Sequence, residues 1–208
     1  MKIRTIAVAV VCGLFFTLLM LAAGCSEPVE TEGQDLSANP MPEADLVKRG
    51  EYLVNSIGCH DCHTPKKFTE HGPEPDLDRA LMGYPAGSVL PEFDPKVVEG
   101  GKWAMLNSDL TAAVGLWGVS FAANLTSDPT GIGLWKEENF IKSIREGKLK
   151  GIDGSRPLLP PMPWPFYRNL SDEDLKAIFA YLKTIKPINN VVPAPITPDK
   201  LASLTPGE

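Results

Sequence analysis

Histidine and cysteine are scarce in this chain, with 3 His and 4 Cys among 208 residues. A zinc centre takes four ligands from Cys, His or carboxylate, and so few soft donors leave no second cluster to complete one. His71 stands alone among Glu70, Gly72 and Pro73 and reads as a surface loop residue. Excess positive charge is also missing. The net charge of -6 gives no footprint for nucleic acid, and it suits protein partners that offer a basic patch. No phosphate-cradling loop, catalytic triad or paired-acid motif stands out. Neither an enzymatic role nor a small-molecule substrate is therefore expected of the chain alone. Between residues 64 and 123 there is no long periodic segment, and Pro65, Pro73, Pro75, Pro85, Pro91 and Pro95 interrupt it. Proline and glycine, by contrast, are plentiful at 20 and 18 residues. Long ordered loops are expected rather than a helix-dense bundle.

What histidine and cysteine there is converges on Cys59-His60-Asp61-Cys62-His63. Two cysteines separated by two residues, with histidine directly after the second, read as an attachment site for one covalent haem c. The spacing follows from the chemistry. Each thiol adds to one haem vinyl group, and one turn of distorted helix lets both reach the macrocycle edge. The next imidazole then faces the iron as proximal ligand. Three other readings are weaker. Half a zinc site lacks partners, because Cys12 and Cys25 lie in an apparent export signal. A thioredoxin-like dithiol needs a strand-helix-strand frame that the pattern lacks. A structural disulfide leaves His63 without a role.

The N-terminus sets the compartment. Lys2 and Arg4 precede an apolar run from Ile6 to Ala23, the layout of a secretory signal. It ends Leu21-Ala22-Ala23-Gly24-Cys25-Ser26. Small residues before a cysteine resemble a bacterial lipobox, with Ala22 where leucine is more usual. Cleavage before Cys25 makes residues 1–24 a signal and Cys25 the site of lipid attachment. An uncleaved membrane anchor is the competing reading, since the run is about long enough to span a bilayer. Both tether the protein outside the cytoplasm, on the periplasmic face of a bacterial envelope. Ser26 in place of an acid after Cys25 leans towards the outer membrane. Residues 25–42 are acidic and Pro-containing, a linker composition.

From Pro42 to Ile57 apolar residues recur at helical steps, with Gly50 inside and Gly58 closing the segment. Glu137 to Gly147 predicts a second helix with Phe140, Ile141 and Ile144 on one face. Ser171-Asp172-Glu173-Asp174 opens a third as a capping box with acids in its first turn. Its stripe is Leu175, Ile178, Phe179, Leu182 and Ile185, and Pro187 ends it. Between these helices, Pro161 and Pro163 flank Met162 and deny it both helix and strand. A thioether on a stiff loop makes a soft iron ligand. Met82 and Met105 are the alternatives, and a core-packed Met162 is the bland reading. Trp103, Trp117 and Phe121 read as packing residues, although one of the tryptophans could donate to a haem propionate. Residues 188–208 form a Pro-rich tail, expected to be extended and partly mobile.

Residues 44–186 together resemble a monohaem class I c-type cytochrome domain, in the order helix, haem motif, loops, helix, Pro-flanked methionine, helix. Asn124–Trp135 and Pro160–Trp164 look like a subgroup of periplasmic cytochromes found with dehydrogenases and respiratory chains. The resemblance implies a mainly α, class I cytochrome c fold over residues 43–187 with long ordered loops. It implies that the first and last helices cross near Gly50 and Tyr181, and that His63 and Met162 ligate iron from opposite faces. About 60 residues lie between the haem motif and Asn124, an enlarged insertion beyond what a minimal domain of this kind needs.

The expected role is electron transfer through redox partner proteins, from a membrane tether. One alternative is a haem sensor or catalytic haem with an open sixth site. Another is a cytochrome subunit docked tightly on a membrane dehydrogenase or oxidase.

Overall fold

A computed structural model describes residues 41–204. The signal sequence, Cys25 and nearly all of the linker lie outside the described residues. Helix α1 spans Glu43–Ser56, with Glu43 and Asp45 in its first turn, where acids complement the helix dipole. It buries Gly50, Leu53 and Val54. Gly58 then takes a left-handed conformation, φ 85°, and turns the chain into the single-turn helix α2, Cys59–His63. Glycine reaches that conformation without steric cost.

The next 60 residues are not simply loop. Strands β1, Lys66–Thr69, and β2, Gly72–Pro75, form an exposed antiparallel hairpin with His71 at its turn. Strands β3, Met105–Leu106, β4, Ala112–Gly115, and β5, Gly118–Phe121, form an antiparallel sheet in that order. The mainly α class is therefore only loosely supported. Helices with small sheets are nonetheless compatible with a cytochrome c-like domain.

Helix α3, Glu137–Glu146, turns Phe140, Ser143 and Ile144 inward and ends at Gly147, φ 65°. A short helix α4, Trp164–Tyr167, follows the methionine loop. Helix α5, Asp172–Thr184, starts where Ser171 accepts a hydrogen bond from the Asp174 backbone amide at 3.1 Å. That satisfies one of the amides a helix start leaves unpaired.

Helices α1 and α5 cross at Gly50. A Cβ there would collide with the Ala177 carbonyl and lie 2.7 Å from Tyr181 Cβ. Arg49 pins the crossing from outside, donating to Asp174 at 2.9 Å. The main core gathers Leu53 and Val54 of α1, Phe140 and Ile144 of α3, and Leu175, Ile178, Phe179 and Leu182 of α5. Ile132 and Leu81 complete it from the connections. Leu81 is fully buried at φ 60°, a conformation costing a non-glycine residue about 1–2 kcal/mol. Burial of a leucine offsets this by about 2 kcal/mol.

A second, smaller core joins Val98, Val114, Val119 and Leu201. The C-terminal tail lies along β5, where Val119 and Ile196 exchange backbone hydrogen bonds of 2.8 and 3.0 Å. This covers a strand edge that would otherwise present free amides. Asn190, 2 % exposed, donates to the carbonyls of Met82 (2.6 Å) and Tyr84 (2.9 Å) and accepts from Ala86 N–H (2.7 Å). Asn124 ties the start of the following loop to the same tail through the Ile188 carbonyl, 2.9 Å away.

Gly50→Ala is expected to cost about 2 kcal/mol, overpacking exceeding the roughly 1 kcal/mol alanine gains in a helix. Chemical denaturation measures this, and an unchanged midpoint would contradict the close crossing.

Candidate functional site

Residues Cys59–His63 form one helical turn whose two cysteines, three residues apart, share a face. Both thiols are free and partly buried. The turn is short, so its conformation depends on what surrounds it. Lys66 caps it, its ammonium donating to the carbonyls of His60 (3.1 Å), Asp61 (2.8 Å) and Thr64 (2.5 Å). Three protons meet three acceptors, at the end of the turn where a cation complements the carbonyl dipoles. Burial lowers the Lys66 pKa. Thr64 is wholly buried. Its hydroxyl accepts from Leu81 N–H at 2.9 Å and lies 2.8 Å from His60 Nδ1.

His63 Nδ1 lies 2.7 Å from the Ala123 carbonyl oxygen. A carbonyl only accepts, so the proton is on Nδ1 and Nε2 keeps its lone pair. Burial lowers the His63 pKa, with a smaller opposing effect from that hydrogen bond. A neutral ring with one nitrogen committed and the other bare is the form that ligates a metal. The backbone fixes the same residue, since Gly83 N–H donates to His63 O at 2.8 Å. Gly83 is itself close to the 122–123 backbone, where a Cβ would meet the Ala123 carbonyl carbon at 2.6 Å. Gly83 and Ala123, forty residues apart in the sequence, thus both return to His63.

Met162 is partly buried and packs against the main core, as does Cys59. Its loop and the segments flanking it are held at three places. Leu158 N–H donates to Gly147 O at 2.7 Å. Ser120 Oγ donates to Pro160 O at 2.6 Å. Beyond the loop, Tyr167 Oη donates to Ile57 O at 2.5 Å, directly before the haem motif. Burial, followed by the neighbouring Cys59, pushes the Tyr167 hydroxyl up to about 12, so it remains a donor. Among the described residues, the other methionines are placed differently. Met105 packs on the second core, Met82 sits beside Gly83 with its carbonyl bound to Asn190, and Met41 is exposed before α1. Trp117 donates its indole N–H to Ser120 at 3.2 Å, and Trp103 is exposed. Neither the Trp117–Ser120 contact nor the Ser120 bond to Pro160 has a signal in the local sequence.

Burial pushes the Cys59 thiol up to about 12 and raises Cys62 as well. A redox dithiol needs the opposite, an attacking cysteine with a depressed pKa. Among the described residues, no three His, Cys, Asp or Glu side chains group as a metal cluster. The donor set fits a c-type haem instead: two free thiols on one face of a turn, a histidine with bare Nε2, and a thioether on the same core.

No family model matches the chain. It is 32% identical over 137 residues to the gluconate 2-dehydrogenase cytochrome c subunit of Pantoea cypripedii, covering 65% of this chain and 22% of that one. It is 30% identical over 145 residues to the cytochrome c subunit of the quinone alcohol dehydrogenase of Gluconobacter oxydans, covering 69% and 22%. With the fructose dehydrogenase cytochrome subunit of Gluconobacter japonicus the figures are 28% over 183 residues, 87% and 29%. The chain thus spans between a fifth and a third of the length of these relatives. They are cytochrome subunits of dehydrogenases, and the likeness supports a c-type cytochrome domain here.

Tyr167→Phe is expected to lose about 1 kcal/mol of stability by leaving the Ile57 carbonyl without its partner. Urea denaturation reads this directly, and equal stability of the two proteins would remove that bond from the account.

Proposed function

We propose that this chain is an electron-transfer subunit carrying one covalent haem c and docked on a membrane dehydrogenase. The observation that carries the reading is the Cys59–His63 turn with its neutral, pre-oriented histidine. Cys59 and Cys62 would hold the haem through their sulfurs, and His63 Nε2 and Met162 Sδ would be the protein's two ligands to its iron. The haem supplies a one-electron couple.

The protein's own residues set the conditions for that couple. The Ala123 carbonyl orients the His63 ring and makes it a better donor. Proline at positions 160, 161 and 163 stiffens the segment that delivers Met162. A neutral thioether and partial burial favour the reduced iron, so the potential lies above that of a bis-histidine haem. Ligation by both His63 and Met162 would leave no open position for a substrate, so electron transfer would ask little rearrangement of these residues. Substrate chemistry then belongs to the partner, and this chain is not the catalytic subunit.

Docking is favoured over free shuttling because the relatives named above are all subunits of dehydrogenases. The acidic net charge suits a basic patch on the partner. The N-terminal pattern supports export, lipid attachment at Cys25 and a position on the periplasmic face of the envelope. A sensor or catalytic haem would need an open sixth position, and the braced methionine loop speaks against one.

Met162→Ala in the haem-loaded protein is expected to abolish the weak methionine-to-iron band at the red end of the oxidised spectrum. It should also lower the potential and admit carbon monoxide, while Met82→Leu and Met105→Leu leave all three unchanged. An unaltered spectrum and potential in Met162→Ala would reject Met162 as ligand.

A further inference from the structure

We propose that the β4–β5 hairpin, through the Ser120 hydroxyl, is a positioning device that keeps Met162 on the iron. The inference rests on Met162 being the axial ligand. It starts from the loop's shortage of donors. Pro160, Pro161 and Pro163 have no N–H, and the Met162 amide turns back to Leu159 O at 3.2 Å. Among the described residues, the bond from Ser120 Oγ to Pro160 O, 2.6 Å, is the one hydrogen bond joining residues 159–163 to a distant part of the chain.

The serine is arranged for that single contact. It is 8 % exposed, so water does not readily replace the partner. Its one proton has two acceptors in reach, Pro160 O at 2.6 Å and Ala113 O at 3.4 Å, and the shorter bond takes it. Trp117 Nε1–H donates to the serine oxygen at 3.2 Å, occupying a lone pair and fixing the hydroxyl rotor. The hairpin that carries Ser120 is anchored in turn. Val119 pairs with Ile196 through two backbone bonds and packs in the second core with Val98, Val114 and Leu201. The rigid body is the hairpin, and the loop is what it restrains.

The consequence concerns competition at the iron rather than folding. A loop held in its ligating position gives up little conformational freedom when the thioether binds. Freeing the loop raises the population in which the sixth position is open, and an added ligand then binds more tightly.

The test is an imidazole titration of the full-length, haem-loaded, oxidised protein, with the red-end methionine band recorded over temperature. Ser120→Ala is expected to bind imidazole about five- to tenfold more tightly, and to lose the band at lower temperature. Ser120→Thr, which keeps the hydroxyl, should behave like the unaltered protein. Trp117→Phe, which removes the indole N–H that locks the rotor, should shift the affinity about twofold. A merely structural serine would lower the unfolding midpoint and leave imidazole affinity unchanged, and that result overturns the proposal. So does a Ser120→Thr protein that matches Ser120→Ala, because packing rather than the hydroxyl would then be responsible. Should Ser120→Ala not fold, Trp117→Phe decides, and an unchanged affinity there overturns the proposal. Met162→Ala is the reference. If it keeps the band, the ligand assignment itself fails and the brace falls with it; if it loses the band while Ser120→Ala changes nothing, only the brace fails.

Discussion

The hydrogen bond from His63 Nδ1 to the Ala123 carbonyl governs the rest of the site. A five-residue helix has too few internal hydrogen bonds to hold a side chain in one orientation by itself. The direction of the His63 ring is therefore a tertiary property. It is set by Ala123, sixty residues downstream, and by the backbone bond from Gly83. The same bond decides the tautomer and so leaves Nε2 as the donor atom. Lys66 complements it by capping the carbonyls of the turn. Histidine orientation, tautomer and helix termination are in this way fixed by three separate parts of the chain.

The long insertion between the haem motif and Asn124 is the source of most of these contacts. It contributes Leu81 to the main core and Thr64 to a buried bond with Leu81 N–H. It supplies Gly83 and Ala123 to His63 and Ser120 to the methionine loop. The insertion is stabilised by its own small core and by the C-terminal tail lying on β5. Asn190 links these parts, since its amide reaches three backbone groups between Met82 and Ala86. A segment of the tail thus supports the segment that supports the histidine.

The helices were legible in the sequence because their signals are local. Ser171 caps α5, Gly147 closes α3, and the apolar stripes repeat at helical spacing over ten residues or more. The approach of α1 to α5 at Gly50 followed from the resemblance. The two sheets were not legible. Their strands are two to four residues long, and β4 is buried on both faces, so no alternation of apolar and polar residues appears. Leu81 carries no mark of its left-handed backbone, which tertiary contacts impose. At the site, the spacing of Cys59, Cys62 and His63 was readable from chemistry alone. Ser120, Trp117 and Tyr167 were not, because their partners lie 40, 3 and 110 residues away and serine, tryptophan and tyrosine have many commoner uses.

On the proposed function, Cys59 and Cys62 hold one haem covalently, next to a histidine already turned to meet it. The most direct measurement is mass analysis of the exported protein after proteolysis, on the peptide that contains residues 59–63. The account predicts a single haem retained on that peptide after acid extraction, with both cysteine sulfurs joined to it. Unmodified thiols on that peptide, or a haem that acid extraction removes, would contradict it.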